Sequence, residues 1–152
     1  MARFTDPISL LSGSSDNGTW TIEGGTLENP QPTFSGNPLF TGHYSAVGTL
    51  CHFAIDVDMD NILTFGEGQY YIKLPFASNH NIILSDGCLH DESTGNQYAI
   101  LGHVVEGSDI MELFSIASNG QHVPFSDSDN QPIRLTNLDS FHIAGTFEID
   151  HN

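Results

Sequence analysis

Residues 47–59 read VGTLCHFAIDVDM, and this stretch decides the fold. Val47, Thr49, Cys51, Phe53, Ile55, Val57 and Met59 fall on one side of an extended chain. Gly48, Leu50, His52, Ala54, Asp56 and Asp58 fall on the other, because successive side chains of a strand point to opposite faces. The first set reads as a core face and the second begins mixed and ends acidic. The run therefore predicts a half-buried strand that leaves the interior near Asp56.

The same alternation recurs along the chain. Further strands are expected over residues 19–23, 39–44, 69–74, 81–84, 87–91, 97–105, 109–117 and 141–149, with the opening run itself covering 47–58. Turn signals separate them: EGGT, SGNP, FGEG, SDG, STGN, VEGSD, SNGQ and SDSDNQP. DESTGNQY predicts a hairpin about Ser93, Thr94, Gly95 and Asn96. No apolar stripe at helical spacing has useful length. SDIMELFSIAS comes nearest, yet Ile110, Glu112, Phe114 and Ile116 sit at period two, so it reads as a strand. Many short strands at regular spacing predict an all-β fold, an antiparallel β-sandwich or barrel. Phe53, Phe65, Phe76, Phe114, Phe125, Phe141 and Phe147 are expected to fill its core.

The first 18 residues differ. Phe4, Ile8, Leu10 and Leu11 are followed by a Ser/Gly/Asn stretch, which suggests an extended N-terminal arm that docks on a neighbour. The domain division is then 1–18 for the arm and 19–152 for the sheet domain. Residues 29–38 carry Pro30, Pro32 and Pro38 and are expected to be extended.

Composition narrows the function classes. The chain has 152 residues, enough for one domain with a core, and 38% of them are hydrophobic, so it is not a disordered sequence. Nineteen acids face three bases, Arg3, Lys73 and Arg134, giving a formal net charge of −16. That sign opposes nucleic-acid binding, which is driven by phosphate neutralisation, and opposes an anionic membrane surface. No segment is apolar enough to predict membrane insertion, and no secretory leader is evident. Cys51 and Cys88 do not make a disulfide framework. They read as free thiols, with one bridge between them left open.

Three clusters invite chemistry. DVDMDNILTFGEG places Asp56, Asp58, Asp60 and Glu67 at positions 1, 3, 5 and 12 of an EF-hand-like Ca²⁺ loop. The flanks read as strands rather than helices, and period-two alternation accounts for the aspartates without a metal. Cys51, Cys88, His90, His80 and His103 could be drawn into a zinc site, but no zinc spacing is present. Trp20, Tyr70 and Tyr71 could form a sugar-stacking platform, against a packing role for the same rings. There is no G-x-S-x-G elbow, no P-loop and no dinucleotide fingerprint, so no enzyme activity is expected.

From Tyr44 onward the motifs resemble a domain of tailed-bacteriophage virion structural proteins, found in minor tail and head decoration proteins. The resembling segments are YSAVGTLCHFAIDV, FGEGQYYIKLPF, GCLHDESTGNQYAILGHV and FHIAGTFEI, in that order. The resemblance implies a jelly-roll-like fold, a homotrimer, and a place in the virion after synthesis in the bacterial host cytoplasm. Of the virion roles, the sequence reading favours a capsid decoration, or cement, protein on the outer capsid surface. Its partner would be the major capsid protein, with Phe4, Ile8, Leu10 and Leu11 clamping a neighbour. The alternative is a tail or fibre tip that binds a host-surface glycan.

Overall fold

The computed structural model describes residues 15–36 and 40–151. Its elements are β1 (Ser15–Thr21), β2 (Gly24–Thr26), β3 (Thr33–Phe34), β4 (Thr41–Val47), β5 (Leu50–Asp58), β6 (Ile62–Thr64), β7 (Tyr70–Lys73), β8 (Ile82–Asp91), β9 (Asn96–Val104), β10 (Ile110–Ile116), β11 (His122–Pro124) and β12 (Ser140–Glu148). No helix occurs among the described residues. The all-β, antiparallel expectation therefore holds for them.

The opening stretch is resolved into two strands. β5 alternates strictly, with Cys51, Phe53, Ile55 and Val57 buried and the intervening residues exposed. Val47 instead ends β4 and pairs with Leu50, so Gly48 and Thr49 form a two-residue hairpin turn. Gly48 has φ 62°, at the position where such turns favour glycine. The expectation of one strand over 47–58 is corrected here, because period two continues through a tight turn without a break in pattern. The predicted breaks at 84–87 are one strand with a β-bulge, between Leu84 and Gly87 of β8.

Pairing links the strands in one path, β1-β4-β5-β12-β8-β9-β10-β7-β2, with β11 added beside β10. β3 and β6 form a separate two-stranded ribbon. The two-sheet division of a jelly-roll sandwich is not what this pairing describes; apart from that ribbon, the strands belong to one curled sheet. The edge strands explain the curl. β1 lies at one end of the path and β2 at the other, yet only Ile22 and Glu23 separate them in the chain. Three peptide steps reach at most about 11 Å, so the two edges must come together there. Ile22 N–H still donates to Phe40 O beside β4, while Glu23 O already accepts from Lys73 N–H of β7.

The concave face holds the core. Phe53, Ile55, Leu89, Ile100, Met111, Leu113 and Ile143 are fully or almost fully buried and belong to one cluster. β12 sits between β5 and β8 and supplies Phe141, Ile143 and Phe147 to it. Each such side chain stabilises the fold by about 1.5–3 kcal/mol through burial alone. β1 begins at Ser15 and pairs along its whole length with β4, so Ser15, Asp16, Asn17 and Gly18 are strand where the sequence suggested arm. Phe4, Ile8, Leu10 and Leu11 lie outside the described residues.

Candidate functional site

The residues picked out from sequence do not converge. Asp56 and Asp58 stand on the exposed face of β5, opposite His142 and Ser140 of β12. Asp60 follows at a turn, where its carboxylate accepts from Asn61 Nδ2. Glu67 lies past β6, with its backbone N–H held by Pro30 O. The EF-hand-like loop is thus replaced by a strand end, a turn and a short second strand. Among the described residues no group of three or more His, Cys, Asp or Glu side chains is arranged to hold a metal ion. Cys51 and Cys88 are free, and burial pushes the Cys51 thiol up to about 12. A buried neutral thiol is a core side chain, not a metal ligand.

The aromatic platform is also dispersed. Tyr70 and Tyr71 are consecutive on β7 and so point to opposite faces. Tyr70 packs edge-on against Phe125, and its hydroxyl donates to Phe65 O at 2.7 Å. Burial raises its pKa. Trp20 lies over Gly42, where any Cβ would run into the indole ring. Its Nε1–H donates to Lys73 O at 3.1 Å, which helps fasten the two sheet edges together. Trp20 and Tyr70 are therefore packing residues, and only Tyr71 faces outward.

Two other features of the surface remain. A cavity of about 570 Å³ opens between the sheet and the β3–β6 ribbon. Phe34, Phe40, Phe65, Phe125 and Phe141 line it, with Glu23 and Lys73 as the charged members. Several of these are core residues, and Phe34 and Phe40 flank residues 37–39, which are not described. The cavity is continuous with the core rather than separate from it.

The second feature is on the convex face of β8, β9, β10 and β7. Met111, Leu113 and Ser115 of β10 point into the core, so Glu112, Phe114 and Ile116 point out. Phe114 was expected in the core and is corrected to this face. Both faces of β10 are apolar, so alternation alone did not say which one was inward. Phe114 pairs with Leu101, which is 5% exposed and lies outside the main core cluster. The His103 imidazole stacks on the Phe114 ring, with centroids 4.0 Å apart and planes 26° from parallel. It then reaches His122 of β11, Nε2 to Nδ1, at 3.2 Å.

Neighbours complete the patch. Cross-strand pairing puts Ile83, His103, Glu112 and Tyr71 in one row over four strands. Ile83, Val105 and Ile116 are exposed, at 58%, 67% and 45%. Asn81, Ile83, His103 and Val105 line a shallow cleft of about 320 Å³. Asn81 Oδ1 accepts from Glu106 N–H at 2.9 Å, which fixes the amide with its NH₂ group directed away from that bond. Desolvation lowers the His103 pKa, His122 lowers it further, and Glu112 opposes both. Burial thus favours the neutral form of the His103 ring. No sequence motif marks this cluster, since its members come from five strands and the spacing between them is set by sheet pairing.

No protein-family profile matches the sequence, and no curated protein matches it. Among solved structures, the fold is similar to that of the Dettilon tailspike protein (gp208), with a TM-score of 0.61 and 15% identity. The similarity covers 90% of this chain and 24% of the tailspike chain, so this chain spans about a quarter of that protein's length. At that identity the likeness is one of fold: an all-β, antiparallel, curled sheet shared with a segment of a tailspike.

Proposed function

We propose that this chain is a receptor-engaging domain of a bacteriophage tail structure, which binds host-surface glycan and performs no turnover. The observation that carries the reading is the fold shared with part of a tailspike over nine-tenths of the chain. The sequence resemblance to tailed-phage virion proteins points to the same kind of particle. The likeness is to a tail protein rather than to a head protein, so receptor engagement is preferred to capsid decoration. The major capsid protein then drops out as the leading partner, and a homotrimer remains part of the reading.

The physical character of the molecule suits the role. A curled sheet with strands tied along their length is rigid, and a rigid surface loses little entropy when it binds. The formal charge of −16 disfavours phosphate-rich and other anionic targets, although salt screens this beyond about 8 Å.

The test uses the fluorescently labelled 152-residue chain and bacterial cells sensitive to the phage that carries it. The chain is expected to coat these cells and to slow adsorption of that phage. Periodate, which cleaves the vicinal diols of surface sugars, is expected to abolish the coating. A chain that leaves cells bare and adsorption unchanged contradicts the proposal. Release of shortened polysaccharide contradicts the statement that no turnover occurs.

A further inference from the structure

We infer that the convex-face cluster of His103, Phe114, Glu112 and His122, flanked by Asn81 and Tyr71, is a binding site for a neutral oligosaccharide. This rests on the receptor-engaging reading and adds to it the location and the chemical class of the ligand.

The argument starts from what a neutral sugar offers: an apolar C–H face and a rim of hydroxyl groups that donate and accept. The site offers the complement of both. The His103 ring stacks on Phe114, contacts His122, and lines the shallow cleft beside Ile83 and Val105, so an aromatic pair forms one wall of that cleft. Such a ring face contacts sugar C–H groups as an aromatic side chain does, provided the ring is uncharged. Exposed Ile83 and Val105 extend the apolar surface along the cleft. Glu112 is an acceptor for hydroxyl donors, and the oriented Asn81 amide is a donor.

Extent and charge define the class. The row from Ile83 through His103 and Glu112 to Tyr71 crosses three strand spacings, about 14–15 Å at roughly 4.8 Å each. That length suits a short oligosaccharide better than a single ring. Both basic residues among the described residues are engaged elsewhere. Lys73 is shared between Glu23 and Asp109 at 3.9 and 4.0 Å, and Arg134 pairs with Asp127 at 3.3 Å. Lys73 shares the outer face of β7 with Tyr71 but is countered by Glu23 and Asp109, no Lys or Arg of the described residues stands in the row itself, and Glu112 would repel a sugar carboxylate, sulfate or phosphate.

The test is an array of neutral and acidic oligosaccharides probed with the 152-residue chain at pH 7.5, followed by titration of the best neutral hit. His122→Ala and Glu112→Gln are chosen because both residues lie on the outer face, so neither opens a core cavity. Phe114→Ala is a third variant, used only if its amide NMR spectrum remains dispersed. His52→Ala, on the convex face of β5 and away from the cluster, is the control. The expected result is a neutral hit that weakens at least tenfold with His122→Ala and with Glu112→Gln, and changes less than twofold with His52→Ala. Its NMR perturbations should centre on His103, Phe114 and His122. Neutral binding that survives both variants within twofold overturns the site but leaves the receptor-engaging reading standing. Preference for acidic sugars, or cell coating without any bound neutral sugar, overturns the ligand class and again leaves that reading. Failure on the array together with bare cells overturns both.

Discussion

Individual side chains on the two faces of the sheet at β9 and β10 carry opposite consequences. Ser115 points into the core, is 1% exposed, and its hydroxyl has no hydrogen-bond partner. A buried unpaired hydroxyl costs on the order of 1–3 kcal/mol. Ser115→Ala should therefore raise stability, by about 1 kcal/mol in urea unfolding after the small loss of packing; a drop of that size would contradict the assignment. His103 on the other face behaves through its proton. An ordinary unfolded imidazole titrates near pH 6.5, and the folded one lies lower. As pH falls below about 6.5 the unfolded chain takes up the proton first, so this residue subtracts stability until pH passes the folded value. NMR titration should show the His103 ring midpoint below 6.5 and the 3.2 Å contact with His122 lost on acidification. A midpoint at or above 6.5 would contradict the neutral stack.

At the scale of elements, the β8–β9 hairpin shows how a turn is fixed and tied down. Asp91 accepts from Ser93 N–H, Ser93 Oγ and Thr94 Oγ1, which lowers its pKa. Gly95 then takes φ 75° and its N–H donates to Asp91 O. Asp139, fully buried, accepts from Glu92 N–H and Thr136 N–H, and its own carbonyl accepts from Met59 N–H. The carboxylate thus binds the hairpin to the segment leading into β12, and the backbone carbonyl of the same residue holds the end of β5. Asp139→Ala removes the acceptor of two part-buried backbone N–H bonds and is expected to cost about 1–2 kcal/mol, with Asp139→Asn costing less because one acceptor oxygen survives. Equal stability of wild type and Asp139→Ala in chemical denaturation would contradict this role. The hairpin was legible in DESTGNQY because its turn residues are local in sequence. The tie from Asp139 to the hairpin was not, since Glu92 is 47 residues away and only the folded chain brings the two together.

For the whole molecule, strand alternation made the all-β class and most strand positions readable, and β5 follows the predicted pattern residue by residue. Sheet order was not readable. Periodicity says which face of a strand is buried but not which strand lies beside it, so the expected sandwich gave way to one path curled on itself. The edges meet through Ile22 and Glu23, a closure visible only once β1 and β2 are known to be the two ends. The same limit explains the site. Trp20, Tyr70 and Tyr71 share a residue class but not a face, whereas His103, Glu112, Phe114 and His122 share a face without any motif. We propose that this sheet serves the tail side of a phage particle as a receptor-engaging surface. Electron cryomicroscopy of the virion, with the chain marked by a bound antibody fragment, tests it most directly. Added density on the tail structure is the predicted result; density distributed over the head shell would contradict it.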